Sequence, residues 1–350
     1  MQHESDFEPV VVAAIVTAAI ALLLSTVMAL LIIGVRLWRR SVERRKLRFV
    51  AKWEPVLLEA MEGAVAVRLP KLSKLELTFF LELWTHLQEA TRGSATENLN
   101  AFLAQNISVA QLTAAIEKRD VRSIVITLTA LGHLRCREAI APLLRCVLDP
   151  SPVVSFAALR AVLRIDAPAT LSALVPAMLN RQDWPISRLL NICGELGANV
   201  VTEPLLQRLT TAAPAEAIRL LSLLTLGHSE RTEPAVRQWL VSQHDPEILA
   251  AAFEFTRAPQ DLSRLEIATS HRDWRVRVAA AKALGEIGNA IAFQLVVKLL
   301  SDPTWWVRHS AARALTAMLG AAHPKLLALC DTNEDPFARD ILRQAMAEAG

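Results

Sequence analysis

The sequence predicts an all-α protein: a right-handed α-solenoid of helical hairpins preceded by one transmembrane helix. Three observations lead there. Residues 10–35, VVVAAIVTAAIALLLSTVMALLIIGV, contain no charged side chain. The string HRDWRVRVAAAKALGEIG at 271–288 returns in related form as SDPTWWVRHSAARALTAMLG at 301–320. A repeat of that length marks a supersecondary unit that cannot bury its apolar face alone and stacks on copies of itself. The composition, 53% hydrophobic with no tyrosine and 5% aromatic residues, is rich in Ala and Leu and poor in strand-favouring types. A chain of 350 residues has room for several domains or for one continuous array.

The first element is the apolar run. At about 1.5 Å per residue it forms roughly 39 Å of helix, enough to cross a bilayer with some tilt. A signal peptide is the competing reading, because Val27-Met28-Ala29 has the form of a cleavage site; the acidic residues Glu4, Asp6 and Glu8 before the run, and its continuation past Ala29, argue against it. The other flank is basic: Arg36, Arg39, Arg40, Arg44, Arg45, Lys46, Arg48 and Lys52 against Glu43. The positive-inside rule therefore expects residues 1–9 as a short extracytoplasmic tail and everything after the span in the cytoplasm. Residues 36–52 form a basic juxtamembrane segment, and Arg36, Arg39, Arg40, Arg44, Arg45, Lys46 and Arg48 are expected at the membrane surface against anionic lipid. Nucleic-acid binding is the alternative use of such a cluster. The charge distribution disfavours it: residues 1–35 carry −3, 36–52 carry +7, and the remainder carries −1.

Residues 53–119 are expected to be a divergent helical cap that shields the first repeat. Ser73-x-x-Glu76, Ser94-x-x-Glu97 and Ser108-x-x-Gln111 have the capping-box spacing that marks helix starts. Asn106-Ile107-Ser108 matches a glycosylation sequon, which a cytoplasmic location would leave unused.

Repeats are expected over 120–350. Their first helices begin near Asp120, Asp149, Asp183, Ala213, Asp245, Asp273, Asp302 and Asp335, at intervals near thirty residues. Second helices follow at 139–148, 170–179, 201–209, 232–240 and 290–300. Gly132, Gly197, Gly227, Gly288 and Gly320 stand where a helix would end in a left-handed residue. Each turn Asp can accept free N–H groups of the helix it precedes and suits that helix's positive end. Val276 and Val307, Ala280 and Ala311, and Leu284 and Leu315 share one apolar helix face, where alanines permit close helix approach. Arg277 and Arg308 are equivalent and are expected to reach the Asp of an adjacent turn, forming a ladder. Trp274, Trp305 and Trp306 at helix starts either cover the seam between repeats or form a contact patch.

The common signatures of nucleotide, metal and acyl chemistry are missing: there is no P-loop, no GxGxxG after a strand, no HExxH, no GxSxG and no Cys/His ligand spacing. No catalytic residue, cofactor or metal is expected. Cys136, Cys146, Cys193 and Cys330 lack CxxC spacing and read as buried thiols in a reducing compartment. His133 and His228 each follow a glycine and read as structural.

The strings DWRVRVAAAKALGEIG and DPTWWVRHSAARALTAMLG resemble HEAT repeats of the short bacterial type, also called phycobilin-lyase-like repeats. The resemblance is strong in the last third, clear around Asp149 and weak over 200–260. It implies a scaffold or adaptor that is not an enzyme and holds a protein partner on an extended concave surface. Two alternatives stand beside it: a bilin-lyase-like enzyme or chaperone, and a HEAT-like nucleic-acid-binding protein. The order of one span, a basic stretch, KWEPVLLEAMEG (52–63), LPKLSKLELTFFLELW (69–84) and repeats is similar to bacterial inner-membrane proteins found alongside family 2 polysaccharide glycosyltransferases. That likeness implies a synthase or its regulator as partner, and a part in exopolysaccharide secretion. Aligning the repeats on Lys282 gives a polar column of Thr129, Arg160, Asn191, Glu254, Lys282, Arg313 and Gln344, expected to face water on the inner helices. Arg160, Lys282 and Arg313, with Trp305 and Trp306 as anchors, are the expected partner-binding residues.

Overall fold

The computed structural model describes residues 7–63, 68–117 and 120–349. Glu4 and Asp6 of the expected acidic tail lie outside the described residues. Every regular element among those described is helical. The chain forms two compact units: one from the chain up to Leu148 together with Val153–Ile165, the other from Asp149–Pro152 and from Asp166 onward.

The first unit is entered by α1 (Phe7–Met61), 55 residues without interruption. It runs through both boundaries expected at 35/36 and 52/53. The reason is local: residues 36–54 change charge but contain neither Gly nor Pro, and Arg, Leu, Lys and Glu are good helix formers. From Ile15 to Ser41 every side chain is exposed. Beyond, Phe49, Trp53, Leu57 and Ala60 are buried, at intervals of four, four and three that put them on one helix face. That face packs against α2 (Lys74–Ala90) and α3 (Ser94–Asn106), with the Phe49 and Phe79 rings 6.1 Å apart. Asn98 Nδ2 donates to the Met61 carbonyl at 2.8 Å and satisfies an orphan acceptor at the end of α1.

The capping boxes at Ser73/Glu76 and at Ser108/Gln111, which opens α4 (Val109–Ile116), are both formed. The one expected at Ser94 is not: Gly93 takes the cap position at φ 77° and Ser94 becomes the first helical residue. Trp84 is fully buried and its indole N–H donates to the Leu99 carbonyl at 2.9 Å. The sequon Asn106 is engaged internally, accepting from Leu69 N–H at 2.6 Å and donating to the Phe102 carbonyl at 2.9 Å. After α5 (Val121–Leu134) and α6 (Ile140–Val147), the unit closes with the first part of α7 (Pro152–Asn180), which bends at Asp166 (φ −156°, ψ 77°).

In the second unit Asp166 starts the rest of α7, its carboxylate accepting from Ala169 N–H at 3.2 Å. There follow α8 (Ile186–Leu196), α9 (Ala198–Leu209), α10 (Pro214–Leu224), α11 (Ser229–Trp239), α12 (Pro246–Ala252), α13 (Leu262–Ala268), α14 (Trp274–Ile287), α15 (Ala290–Leu299), α16 (Trp305–Leu319), α17 (Pro324–Thr332) and α18 (Pro336–Ala349). First helices of successive hairpins lie side by side in the order α8, α10, α12, α14, α16, α18. Val276, Val307, Ala280, Ala311, Leu284 and Leu315 are all buried in this stack. Hairpins form over 200–260 as well, where the sequence pattern is weak.

The turn aspartates behave in three ways. Asp120, Asp245 and Asp273 are true N-caps. Asp149 and Asp302 stand two residues before the cap position and accept that residue's N–H, from Ser151 and Thr304, both at 2.8 Å. Asp183 makes no cap, because Pro185 precedes α8. Of the five glycines expected to end helices in a left-handed residue, only Gly288 does so (φ 65°, ψ 7°). Gly197 and Gly320 have positive φ with extended ψ, and Gly227 has no positive φ. Gly132 stays inside α5, the left-handed residue being Arg135 (φ 51°, ψ 34°). What Gly132 supplies is proximity: a Cβ there would sit 2.9 Å from Ala161 Cα.

The arginine ladder is real at one rung and altered at the next. Arg277 grips Asp302 with two parallel bonds, Nε to Oδ2 at 2.7 Å and Nη2 to Oδ1 at 2.9 Å. Burial opposes ionisation of Asp302, but bonds from Arg277 and Thr304 outweigh it and hold the carboxyl below its ordinary value. Arg308 instead donates to the Asp302 and Pro303 carbonyls of its own turn, at 2.7 and 3.2 Å, and lies over the Phe337 ring at 5.6 Å. Further rungs join Arg237 to Asp261 at 2.6 Å and Arg208 to Glu216 at 2.6 Å.

Candidate functional site

A helix turns 3.6 residues at a time, so Trp274, Val278, Lys282 and Glu286 form one stripe along α14, and Trp306, Ser310, Arg313 and Ala317 form another along α16. Neither stripe can be covered by the second helices, which pack on the opposite side. The two face one another across an open groove of about 830 Å³. A smaller groove of about 410 Å³ adjoins it between α12 and α14, sharing Val278, Lys282 and Glu286 and adding Glu254 and Arg257.

The expected polar column does face water. Arg160, Asn191, Glu254, Lys282, Arg313 and Gln344 are exposed, and Thr129 alone is half-buried, its hydroxyl donating to the Val125 carbonyl at 2.8 Å. Lys282, Arg313 and Trp306 are brought together in the larger groove. Trp305 is directed elsewhere: it stacks on His309, with centroids 4.9 Å apart and planes 9° apart, and meets Trp306 edge-on at 4.7 Å. It therefore orients Trp306 and His309. Arg160 belongs to the first unit, on the first part of α7.

The charges around the groove are unequally engaged. Arg275 pairs with Asp273 at 2.8 Å and also with Glu247; Arg275 holds the Asp273 carboxyl down to about 2, with help from its own backbone N–H. Arg277 and Arg308 are engaged as described. Among the described residues, Lys282, Arg313 and Glu286 make no ion pair or side-chain hydrogen bond. Trp274 and Trp306 are 41% and 56% exposed, large apolar surfaces beside two free cations. Sequence reasoning passed over Glu286 and His309, although each lies four residues from a column position on the same helix.

The basic segment on α1 places Arg36, Arg39, Arg40, Arg44, Arg45 and Arg48 in solvent, and their spacing distributes them round the helix. Lys46 differs: it pairs with Glu82 at 2.7 Å, a carboxylate that also binds Arg122 at 2.7 Å. It holds α1 to α2 and is not free for lipid.

The two interior cysteines among the four are Cys193 and Cys330. Cys193 is buried and its thiol pushed up to about 12, whereas Cys136 and Cys146 are only half-buried, against the expectation that all four are interior. His133 packs edge-on to Trp84 at 6.0 Å and lies 2.8 Å from Arg164 through Nε2. Burial, then the charges of Arg164, Arg160 and Arg135, lower it to about 4. His228 lies 2.7 Å from Asn199 Oδ1. Among the described residues no cluster of three or more His, Cys, Asp or Glu side chains is placed to hold a metal ion.

Residues 109–190 and 262–347 match the family model for HEAT repeats. The chain thus carries HEAT repeats, and the match begins early enough to include α4. The groove lies within the second matched stretch. Human deoxyhypusine hydroxylase, solved in complex with glycerol, is similar over 76% of this chain and 96% of its own, at 15% identity and a TM-score of 0.29. No curated protein matches.

Proposed function

We propose that the chain is a non-enzymatic scaffold, held by α1 at the cytoplasmic face of a bacterial inner membrane, whose repeats present a protein partner there. HEAT repeats commonly mediate protein–protein contacts, and stacked hairpins offer extended concave surfaces for them. The observation that carries the anchored part of this reading is α1 itself. One helix bears an exposed apolar stretch of spanning length, then a collar of arginines, then a buried seam of Phe49, Trp53 and Leu57. A second helix, α7, is also long and apolar enough to span, but half of its apolar window is buried and Asp166 breaks it, so it belongs to the core.

In this reading the arginines meet anionic headgroups, each contributing about 1 kcal/mol near the surface, and the folded unit begins about 20 Å beyond the last span residue. The partner is a polysaccharide synthase or its regulator, a choice supported by the order of segments in the chain. The test is made on the full-length protein in membranes. A reporter fused after residue 350 is expected to be active only as a cytoplasmic fusion, and the protein to resist carbonate extraction. Solubilised in mild detergent, it is expected to bring down a membrane glycosyltransferase or its regulator. Periplasmic activity of the fusion would overturn the orientation, and extraction by carbonate the anchor.

A further inference from the structure

We infer that the α14–α16 groove binds an extended, acidic segment of the partner, which places an aromatic or large aliphatic side chain between Trp274 and Trp306 and a carboxylate between Lys282 and Arg313. This rests on the scaffold reading and specifies what its binding surface takes.

Charge selects the acid. Around the groove the arginines of the stack are already engaged: Arg275 by Asp273 and Glu247, Arg277 by Asp302, Arg308 by turn carbonyls. Lys282 and Arg313 remain, with Glu286 the one carboxylate among the residues lining this groove and Glu254 and Arg257 in the adjoining one. Two exposed cations on neighbouring helices about 9 Å apart can share one carboxylate, and Arg offers it a two-point bond.

The aromatic end selects the anchor. Trp274 and Trp306 leave large apolar faces in water at the mouth of the groove, the residue type that most often dominates binding energy. Trp305 and His309, stacked behind Trp306, fix its ring and reduce the entropy lost on binding. Along α14, Trp274 and Lys282 are eight residues apart, about 12 Å. An extended chain covers that distance in three or four residues. The groove, about 830 Å³ and open along its length, has room for such a strand.

The experiment uses the full-length protein in detergent micelles and a displayed library of random octapeptides, with selected sequences remade as fluorescein conjugates for anisotropy. Wild-type protein is expected to enrich peptides with Asp or Glu three or four positions from Trp, Phe or Leu. The variant K282E/R313E is expected to bind those peptides at least tenfold more weakly and to enrich basic ones instead, with circular dichroism and melting unchanged because both side chains are exposed. Trp306→Ala is expected to weaken the same peptides at least tenfold without changing their charge preference. Enrichment of neutral or basic peptides by wild type, equal binding by K282E/R313E, or no enrichment would each overturn the inference. Co-purification of the natural partner separates this from the broader reading. A partner retained by K282E/R313E removes the groove assignment and leaves the scaffold standing; a wild-type protein that captures none removes the scaffold itself.

Discussion

Asp302 carries more of the fold than its place in a loop suggests. It is 7% exposed, paired with an Arg277 that is 12% exposed, and its carboxylate also orders Thr304 at the start of α16. Asp302→Ala leaves a nearly buried guanidinium without its partner, so a loss of about 3 kcal/mol is expected in urea denaturation, against less than about 0.5 kcal/mol for Arg313→Ala in open solvent. His133 gives a pH signature. Its folded value of about 4 lies below the ordinary 6.5, so between those values the unfolded chain binds more protons and stability falls as pH falls. Thermal melting at pH 7, 6, 5 and 4 is expected to show that slope, and His133→Gln to flatten it. Much at this scale was legible: the cap at Asp273, the bond from Arg277 to the next turn and the solvent-facing column all follow from spacing. Arg308 was not: like Arg277, which also bonds the His271 and Arg272 carbonyls of its own turn at 2.8 and 3.2 Å, it holds its own turn, but in the next turn the place of Asp302 is taken by Asn333, which accepts from Asp335 N–H at 3.0 Å.

Between elements, contact is set by what is missing from glycine. In α14 a Cβ at Gly285 would lie 2.9 Å from Ala314 Cβ on α16, while in α5 a Cβ at Gly132 would lie 2.9 Å from Ala161 Cα on α7. The first clash is with a removable methyl and the second with backbone. Gly285→Ala is therefore expected to cost about 1–3 kcal/mol from overpacking despite the better helix propensity of alanine, and Ala314→Gly to restore part of it. Gly132→Ala is expected to cost a similar amount that Ala161→Gly does not recover. Chemical denaturation of the four single and two double variants checks both. The sequence pattern marked Gly132 as a helix end and gave Gly285 no role, because Gly is the commonest terminator and neighbouring chains are invisible in a linear pattern. The helices themselves were readable from apolar period and caps, even over 200–260, where the repeat signature fades but the hydrophobic spacing persists.

At the scale of the molecule, the all-helical class and repeated hairpins were legible from one repeated string, whereas the division of α7 between two compact units was not. Periodic alignment puts equivalent residues on equivalent faces, but Asp166 bends α7 and assigns Arg160 to the other compact unit. The helix also runs on without a break past 35/36 and 52/53, since a change of charge does not stop a helix. That last point bears on the proposed anchoring. With 55 residues of α1 unbroken, the azimuth of the first unit about the span axis becomes a function of residue count. One alanine inserted after Ser41 would rotate that unit by about 100° and two by about 200°, while seven would return it to within about 20° and lift it about 10 Å. Recruitment of a membrane-embedded partner, scored by co-purification from membranes, is expected to be lost with two added residues and regained with seven. A partner indifferent to all three insertions would mean that α1 transmits no torsional phase, and serves only as a tether.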